Sequence, residues 1–293
     1  MKLKIIIVLL ISAILFISFS CSKREKSSDM NIIFLHHSTG AVIWYGTEVS
    51  WARKITQKYS GKLANLVGGK KAHLPLLFEN YNRDHGKNYL VSEMVFPKAK
   101  PYGWNNFPFD YYNLWVNHAG EQAFMTEPTL EILTKKYQVI IFKHCYPVSN
   151  IGPDLDSADI SSFKKTLSNY KLQYNALKDK LAQYPSTKFI LFTGAAQVKK
   201  NITEYEAIRA REFFTWVSNI WDQPGDNIYL WDLYSLETDG GLYFKDEYTA
   251  SPDNSHPGEE FAGRVVKLLF SRIVDVIENN GTQTLPTGEK SKP

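Results

Sequence analysis

The chain has 293 residues, of which 44% are hydrophobic and 22% are charged, and its formal net charge is +4. These fractions are typical of an ordinary globular protein and exclude a disordered or fibrous chain. The small positive charge gives no indication of nucleic-acid binding, so no nucleic-acid partner is expected.

The N-terminus has the pattern of an export signal. Two lysines within the first four residues precede an almost wholly apolar run over residues 5–19, and Cys21 follows Ser20. The run is shorter than the roughly 20 residues that a membrane-spanning helix needs. A cysteine here resembles the modified cysteine of bacterial lipoproteins. The resemblance implies a signal peptide over 1–20, a lipid on Cys21 and a flexible tether over 21–29. It also implies an extracytoplasmic protein held at a membrane through that lipid. An uncleaved N-terminal anchor with an incidental cysteine is the alternative.

Beyond the tether, strand-like and helix-like segments alternate. Five short apolar runs, including IIFL, VIIF and FILF, are typical of strands that are buried on both faces. The predicted strands are Asn31–Leu35, Tyr89–Glu93, Val139–Phe142, Phe189–Thr193 and Ile228–Leu233. The predicted helices are Val49–Leu66, Thr129–Lys136, Ile160–Gln183, Tyr205–Trp221 and Glu260–Ile277. This alternation predicts a parallel sheet with helices on both faces, in one domain over 30–279. The polar end, 280–293, is expected to be a frayed tail.

Two segments are harder to interpret. The long stretch Gly68–Gly120 shows little periodicity, and we expect one strand flanked by long loops that form a wall of the active site. Aromatic residues cluster between Tyr102 and Trp115. Such a cluster fits a sugar-binding cleft and a large core equally well.

The candidate chemistry lies at the ends of the predicted strands. In an open parallel sheet, ligands bind beyond the carboxyl ends of the strands. Ser38 follows the first strand there, and Asp253 and His256 lie in a loop before the last helix. A serine nucleophile needs a base and a group that orients the base. The spacing of three residues lets Asp253 reach Nδ1 of His256, whose Nε2 would then face Ser38.

These two blocks resemble those of the SGNH, or GDSL-like, hydrolase superfamily. Ser38 in IIFLHHSTG matches the first block, and Asp253 and His256 in SPDNSHPGEEFAGR match the last. The resemblance implies a flavodoxin-like three-layer α/β/α sandwich with a five-stranded parallel sheet. It also implies a serine ester hydrolase that uses no metal and no organic cofactor. The implied oxyanion donors are Ser38, Asn150 and Gly103. The chain departs from the family where His36-His37-Ser38 replaces G-D-S, and where no G-x-N-D block is found.

The expected substrate is an extracytoplasmic ester, with O-acyl groups on a carbohydrate as the class suggested by surface location and aromatic content. The alternative is a catalytically inactive glycan-binding lipoprotein on the same fold. Other readings of the residues also remain. Ser38 can be a helix cap, and His256 can be structural. A third reading is a metal site built from histidine and carboxylate ligands, namely His36, His37, Asp253 and His256.

Overall fold

A computed structural model describes residues 29–46, 72–98 and 106–291. The predictions for Cys21, for Gly103 and for a helix over Val49–Leu66 lie outside the described residues. Within this part of the chain, no helix is long and apolar enough to cross a membrane.

The centre of the fold is a five-stranded parallel sheet. Its strands are β1 (Met30–His36), β2 (Tyr89–Val95), β3 (Val139–Phe142), β4 (Lys188–Phe192) and β5 (Ile228–Trp231). Their order is β2-β1-β3-β4-β5, with every neighbouring pair parallel. This is the order of doubly wound, flavodoxin-like sheets. All five predicted strands are confirmed, and the middle three are buried on both faces, as their unbroken apolar runs indicated.

The helices form two groups around the sheet. One group contains α1 (Ser38–Tyr45), α2 (His73–His85) and the long α8 (Glu259–Asn279), which contact one another. The other contains α3 (Pro108–Tyr111) with its π-helical continuation Tyr112–Asn117, α5 (Leu167–Leu181) and α6 (Glu204–Trp216). Two short helices, α4 (Leu130–Thr134) and α7 (Leu233–Thr238), complete the connections. The arrangement is that of a three-layer α/β/α sandwich.

Two predictions about helices need correction. The stretch Gly68–Gly120 contains α2 and α3 rather than only long loops. Helix α2 is polar overall, and only Leu74 and Phe78 among its residues are buried. The helix predicted from Ile160 begins instead at Leu167, because the Thr166 side chain caps it.

The C-terminal segment differs from the expected frayed tail. The Asp275 carboxylate of α8 accepts hydrogen bonds from the backbone N–H groups of Gln283 and Thr284 and from the Thr284 hydroxyl. The Trp231 indole and the Asp232 N–H donate to the backbone carbonyls of Thr287 and Pro286, respectively. Polar composition indicated an exposed segment, but these specific partners hold it against β5 and α8.

A small antiparallel hairpin carries the second half of the site. It consists of β6 (Thr249–Ser251) and β7 (Asn254–Pro257), and it leads directly into α8.

Candidate active site

Two residues from opposite ends of the chain meet beyond the carboxyl edge of the sheet. Ser38 is the first residue of α1, immediately after β1, and His256 lies in β7. The Ser38 Oγ and His256 Nε2 atoms are 2.8 Å apart. The N-cap of α1 is His37, which makes no side-chain capping bond. The Ser38 hydroxyl is therefore a partner of the imidazole rather than a helix cap.

Close packing under α1 fixes the position of this serine. A Cβ atom added to Gly40 would lie 2.3 Å from the His36 Cβ and 3.0 Å from the Lys143 Cδ. Only glycine lets the first turn of α1 approach the ends of β1 and β3 this closely. The glycine of the HHSTG block is thus explained by packing rather than by a backbone conformation.

The protonation of His256 follows from its contacts with Asn254. The Asn254 Oδ1 atom accepts the backbone N–H of His256 at 3.1 Å, so this atom of the amide must be the oxygen. The same Oδ1 lies 2.7 Å from His256 Nδ1. Because Oδ1 can only accept, Nδ1 carries the proton and donates it. Nε2 therefore presents its lone pair to the Ser38 hydroxyl, which is the tautomer that a general base requires.

The role predicted for Asp253 is corrected by this geometry. Its carboxylate is 75% exposed and forms an ion pair of 2.7 Å with Lys200. Asn254 makes the contact with Nδ1 of His256 that the sequence assigned to Asp253. The physical reason is the hairpin: Asp253 lies at the turn between β6 and β7, whereas Asn254 and His256 lie two apart on one strand and share a face.

The side chain of Asn150, a predicted oxyanion donor, has hydrogen-bond partners of its own. Its Oδ1 accepts a hydrogen bond from Gln197 Nε2 at 3.0 Å. The pKa of Glu206 is lowered overall, because hydrogen bonds from Thr203 and Asn150 outweigh the effect of burial, which alone would raise it. These contacts engage the Oδ1 atom and one of the two N–H donors of the Asn150 amide, and none of them is a contact with Ser38 or His256. Gly103, the other predicted donor, lies outside the described residues.

The two histidines before Ser38 have structural partners. Nδ1 and Nε2 of His36 face the His37 carbonyl at 3.0 Å and the Glu93 carboxylate at 2.9 Å. His37 faces the Pro97 carbonyl through Nε2. Burial and the nearby Lys143 ammonium lower the pKa of His37 to about 4, so its ring is neutral at pH 7.

Each of the four residues considered as a metal ligand thus has a different hydrogen-bond or ion-pair partner. Across 29–46, 72–98 and 106–291, no group of three or more His, Cys, Asp or Glu side chains is placed to hold a metal ion.

Two ionisable side chains of opposite type are buried close enough to influence each other electrostatically. Lys143, just after β3, and Glu237 in α7 are both fully buried. One Glu237 oxygen accepts the Ala196 N–H at 2.6 Å, and the other, Oε1, has no hydrogen-bond partner. Burial raises the pKa of the Glu237 carboxyl to about 8, although the Ala196 N–H and the Lys143 charge oppose the shift. Glu237 is therefore mostly neutral at pH 7.

Aromatic residues divide between the site and the core. The Tyr146 ring stands edge-on to His256, with ring centroids 5.4 Å apart. Tyr111 and Trp115, from the predicted aromatic cluster, are fully buried and pack against Phe142 of β3. In the described part of that cluster, these rings therefore belong to the core.

Sequence reasoning missed Asn254 and Tyr146. The only signal for Asn254 was its place two residues before His256, which puts it on the same face once the segment is known to be a strand. Comparisons with protein-family models, with curated proteins and with solved structures found no match for this chain.

Proposed function

We propose that this protein is a serine hydrolase of the SGNH type that cleaves ester bonds. The observation that carries the proposal is the 2.8 Å contact between Ser38 Oγ and His256 Nε2. It joins a nucleophile to a base in the correct tautomer, beyond the edge of a parallel sheet where such folds bind ligands.

In the proposed reaction, the Ser38 oxygen attacks the acyl carbonyl while His256 Nε2 takes the hydroxyl proton. The imidazolium then protonates the leaving alcohol, and an acyl-serine remains. His256 then takes a proton from water, whose oxygen attacks the acyl group, and the imidazolium returns that proton to the Ser38 oxygen as its bond to the acyl carbon breaks and the acid leaves. Asn254 keeps the proton on Nδ1 throughout. Its amide is neutral, so it orients the imidazolium without the full charge compensation that a carboxylate gives.

The oxyanion that forms during attack needs hydrogen-bond donors. Ser38 is the first residue of α1, where backbone N–H groups have no partner within the helix and the helix dipole is positive. We assign the Ser38 N–H as one donor. The loss of one such donor costs roughly 3–4 kcal/mol in hydrolases of known mechanism.

The proposed setting is the extracytoplasmic side of a membrane, with the chain held by a lipid on Cys21. An O-acyl group on a carbohydrate is the proposed substrate class, on the basis of that location.

A fluorophosphonate probe tests the activity, since it labels only a serine that a base activates. Wild-type protein should be labelled, and Ser38→Ala and His256→Ala should not. Ser271→Ala is a matched control, because the Ser271 hydroxyl is exposed on α8 and bonds only its own helix backbone at Lys267. Labelling that persists in Ser38→Ala would reject the mechanism.

The second candidate is a glycan-binding lipoprotein that has lost catalysis. The exposed Asp253 carboxylate favours it, because it departs from the role that the resemblance implies for this residue. An unlabelled wild-type protein that binds acylated glycans would support this second function.

A further inference from the structure

The hairpin that carries His256 is too small to hold the imidazole in place by itself. Strand β6 has three residues and β7 has four, and their pairing is irregular between Thr249 and Ser251. Two-stranded hairpins of this kind are marginally stable in isolation. The position of His256 must therefore depend on contacts between the hairpin and the rest of the fold.

The side chains of β7 alternate between a face that meets Ser38 and a face that packs against the rest of the fold. Asn254 and His256 are two residues apart and share the face that meets Ser38, so Ser255 points the other way. The Ser255 side chain is 2% exposed. Its Oγ accepts hydrogen bonds from the backbone N–H of Val198 and from Asn201 Nδ2, each at 3.2 Å.

Asn201 also holds the turn of the hairpin. Its Nδ2 donates to the Asp253 carbonyl at 3.0 Å, so one side-chain amide binds residues on both sides of Asn254. Both partner atoms are acceptors in these contacts, which identifies the Asn201 atom as nitrogen.

The segment that contacts the hairpin is itself held in place by local hydrogen bonds and burial. Asn201 ends the short 3-10 turn Lys199–Asn201 in the loop between β4 and α6. Thr203 follows and forms a capping box with Glu206 at the start of α6. Val198 is fully buried. The loop is thus fixed at the carboxyl edge of the sheet, where Ser38 also lies.

From these contacts we infer that Asn201 and Ser255 are positioning residues, which hold the β6–β7 hairpin so that His256 meets Ser38. The inference rests on the proposed hydrolase function. Neither residue touches the reacting atoms, and both act through the placement of His256. A displacement of about 1 Å in a catalytic group can cost on the order of a hundredfold in rate.

The test compares substitutions of two neighbouring residues of the Lys199–Asn201 turn, namely Asn201 and Lys200. Asn201→Ala removes two hydrogen bonds and should lower kcat for a nitrophenyl ester about ten- to hundredfold, with KM changed less than about threefold. Asn201→Asp should also lower kcat, because it places a carboxylate oxygen against the Asp253 carbonyl, which can only accept, whereas the Ser255 hydroxyl can turn to donate to it. Lys200→Ala is the control. It breaks an ion pair on the same turn between side chains that are 65% and 75% exposed, and it should leave kcat within about twofold.

A further measurement and a second variant separate a positioning role from general destabilisation of the fold. The rate of fluorophosphonate labelling, expressed per mole of folded protein at a temperature well below the melting transition, should fall in parallel with kcat. Ser255→Ala provides a second variant should Asn201→Ala fold poorly. It removes the bonds from Val198 and Asn201 but keeps the Asn201 bond to Asp253.

The inference is overturned if folded Asn201→Ala and Ser255→Ala turn over the ester like Lys200→Ala. If wild-type protein is not labelled, or if Ser38→Ala stays active, the proposed function itself fails, and the inference fails with it. Those two results are distinguishable, because in the first the wild-type protein is labelled and its activity depends on Ser38, whereas in the second either the label or the dependence on Ser38 is absent.

Discussion

The identity of the residue that orients His256 can be decided by substitution. Asn254→Ala removes the acceptor at 2.7 Å from Nδ1, so this contact no longer orients the ring or keeps its proton on Nδ1. A hydrogen bond to a group that becomes charged contributes about 1.5–3 kcal/mol. At 1.36 kcal/mol for each factor of ten, kcat should fall roughly ten- to hundredfold. Asp253→Asn removes only one charge of an exposed ion pair that water screens, and kcat should fall less than about fivefold.

The assay is steady-state hydrolysis of a nitrophenyl acetate, with the probe-labelling rate as a check on Ser38. Asn254→Asp adds information, because a carboxylate at this position would stabilise the imidazolium. Its activity should equal or exceed that of wild type, and the basic form of His256 should appear at higher pH. The reasoning is refuted if Asp253→Asn loses a hundredfold or more while Asn254→Ala stays near wild type. That result would mean that the hairpin rearranges and that Asp253 replaces Asn254 on the ring.

Three further outcomes are expected. Glu237→Gln should flatten the pH dependence of stability: the folded-state pKa is about 8 against an ordinary 4.5, so wild-type stability falls as pH rises from 4.5 to 8 and then levels off. Urea unfolding at pH 5 and pH 9 should show the variant gaining on wild type by on the order of a few kcal/mol, and parallel behaviour would contradict the assignment. Ending the chain at Asn280 should lower the melting temperature by several degrees, since it leaves the buried Asp275 carboxylate without three donors; an unchanged temperature would show that the C-terminal contacts contribute little. An alkyne fatty acid should label the wild-type protein in cells but not Cys21→Ala, and an unlabelled wild type would remove the lipid anchor from the proposal.

The sequence by itself was sufficient to predict the sheet. Unbroken apolar runs such as VIIF and FILF indicate strands that are buried on both faces, as in a parallel sheet with helices on either side, and all five strands lie where they were predicted. The position of Ser38 followed from the same rule, since a residue directly after β1 must stand at the carboxyl edge. His256 could be paired with it because it lies just before the last helix, in a block that resembles the last block of the SGNH hydrolases.

Only the tertiary structure decided which neighbour orients the imidazole. Asp253 and Asn254 are adjacent, and both can reach a histidine two or three residues away. The choice depends on where the hairpin turns, and contacts from Asn201 and Val198, more than fifty residues earlier, hold the hairpin in place. The hydrogen-bond partners of Asn150 and the packing of residues 281–291 against β5 and α8 could not be predicted for the same reason. Each depends on partners distant in sequence, and a local pattern of residues carries no information about them.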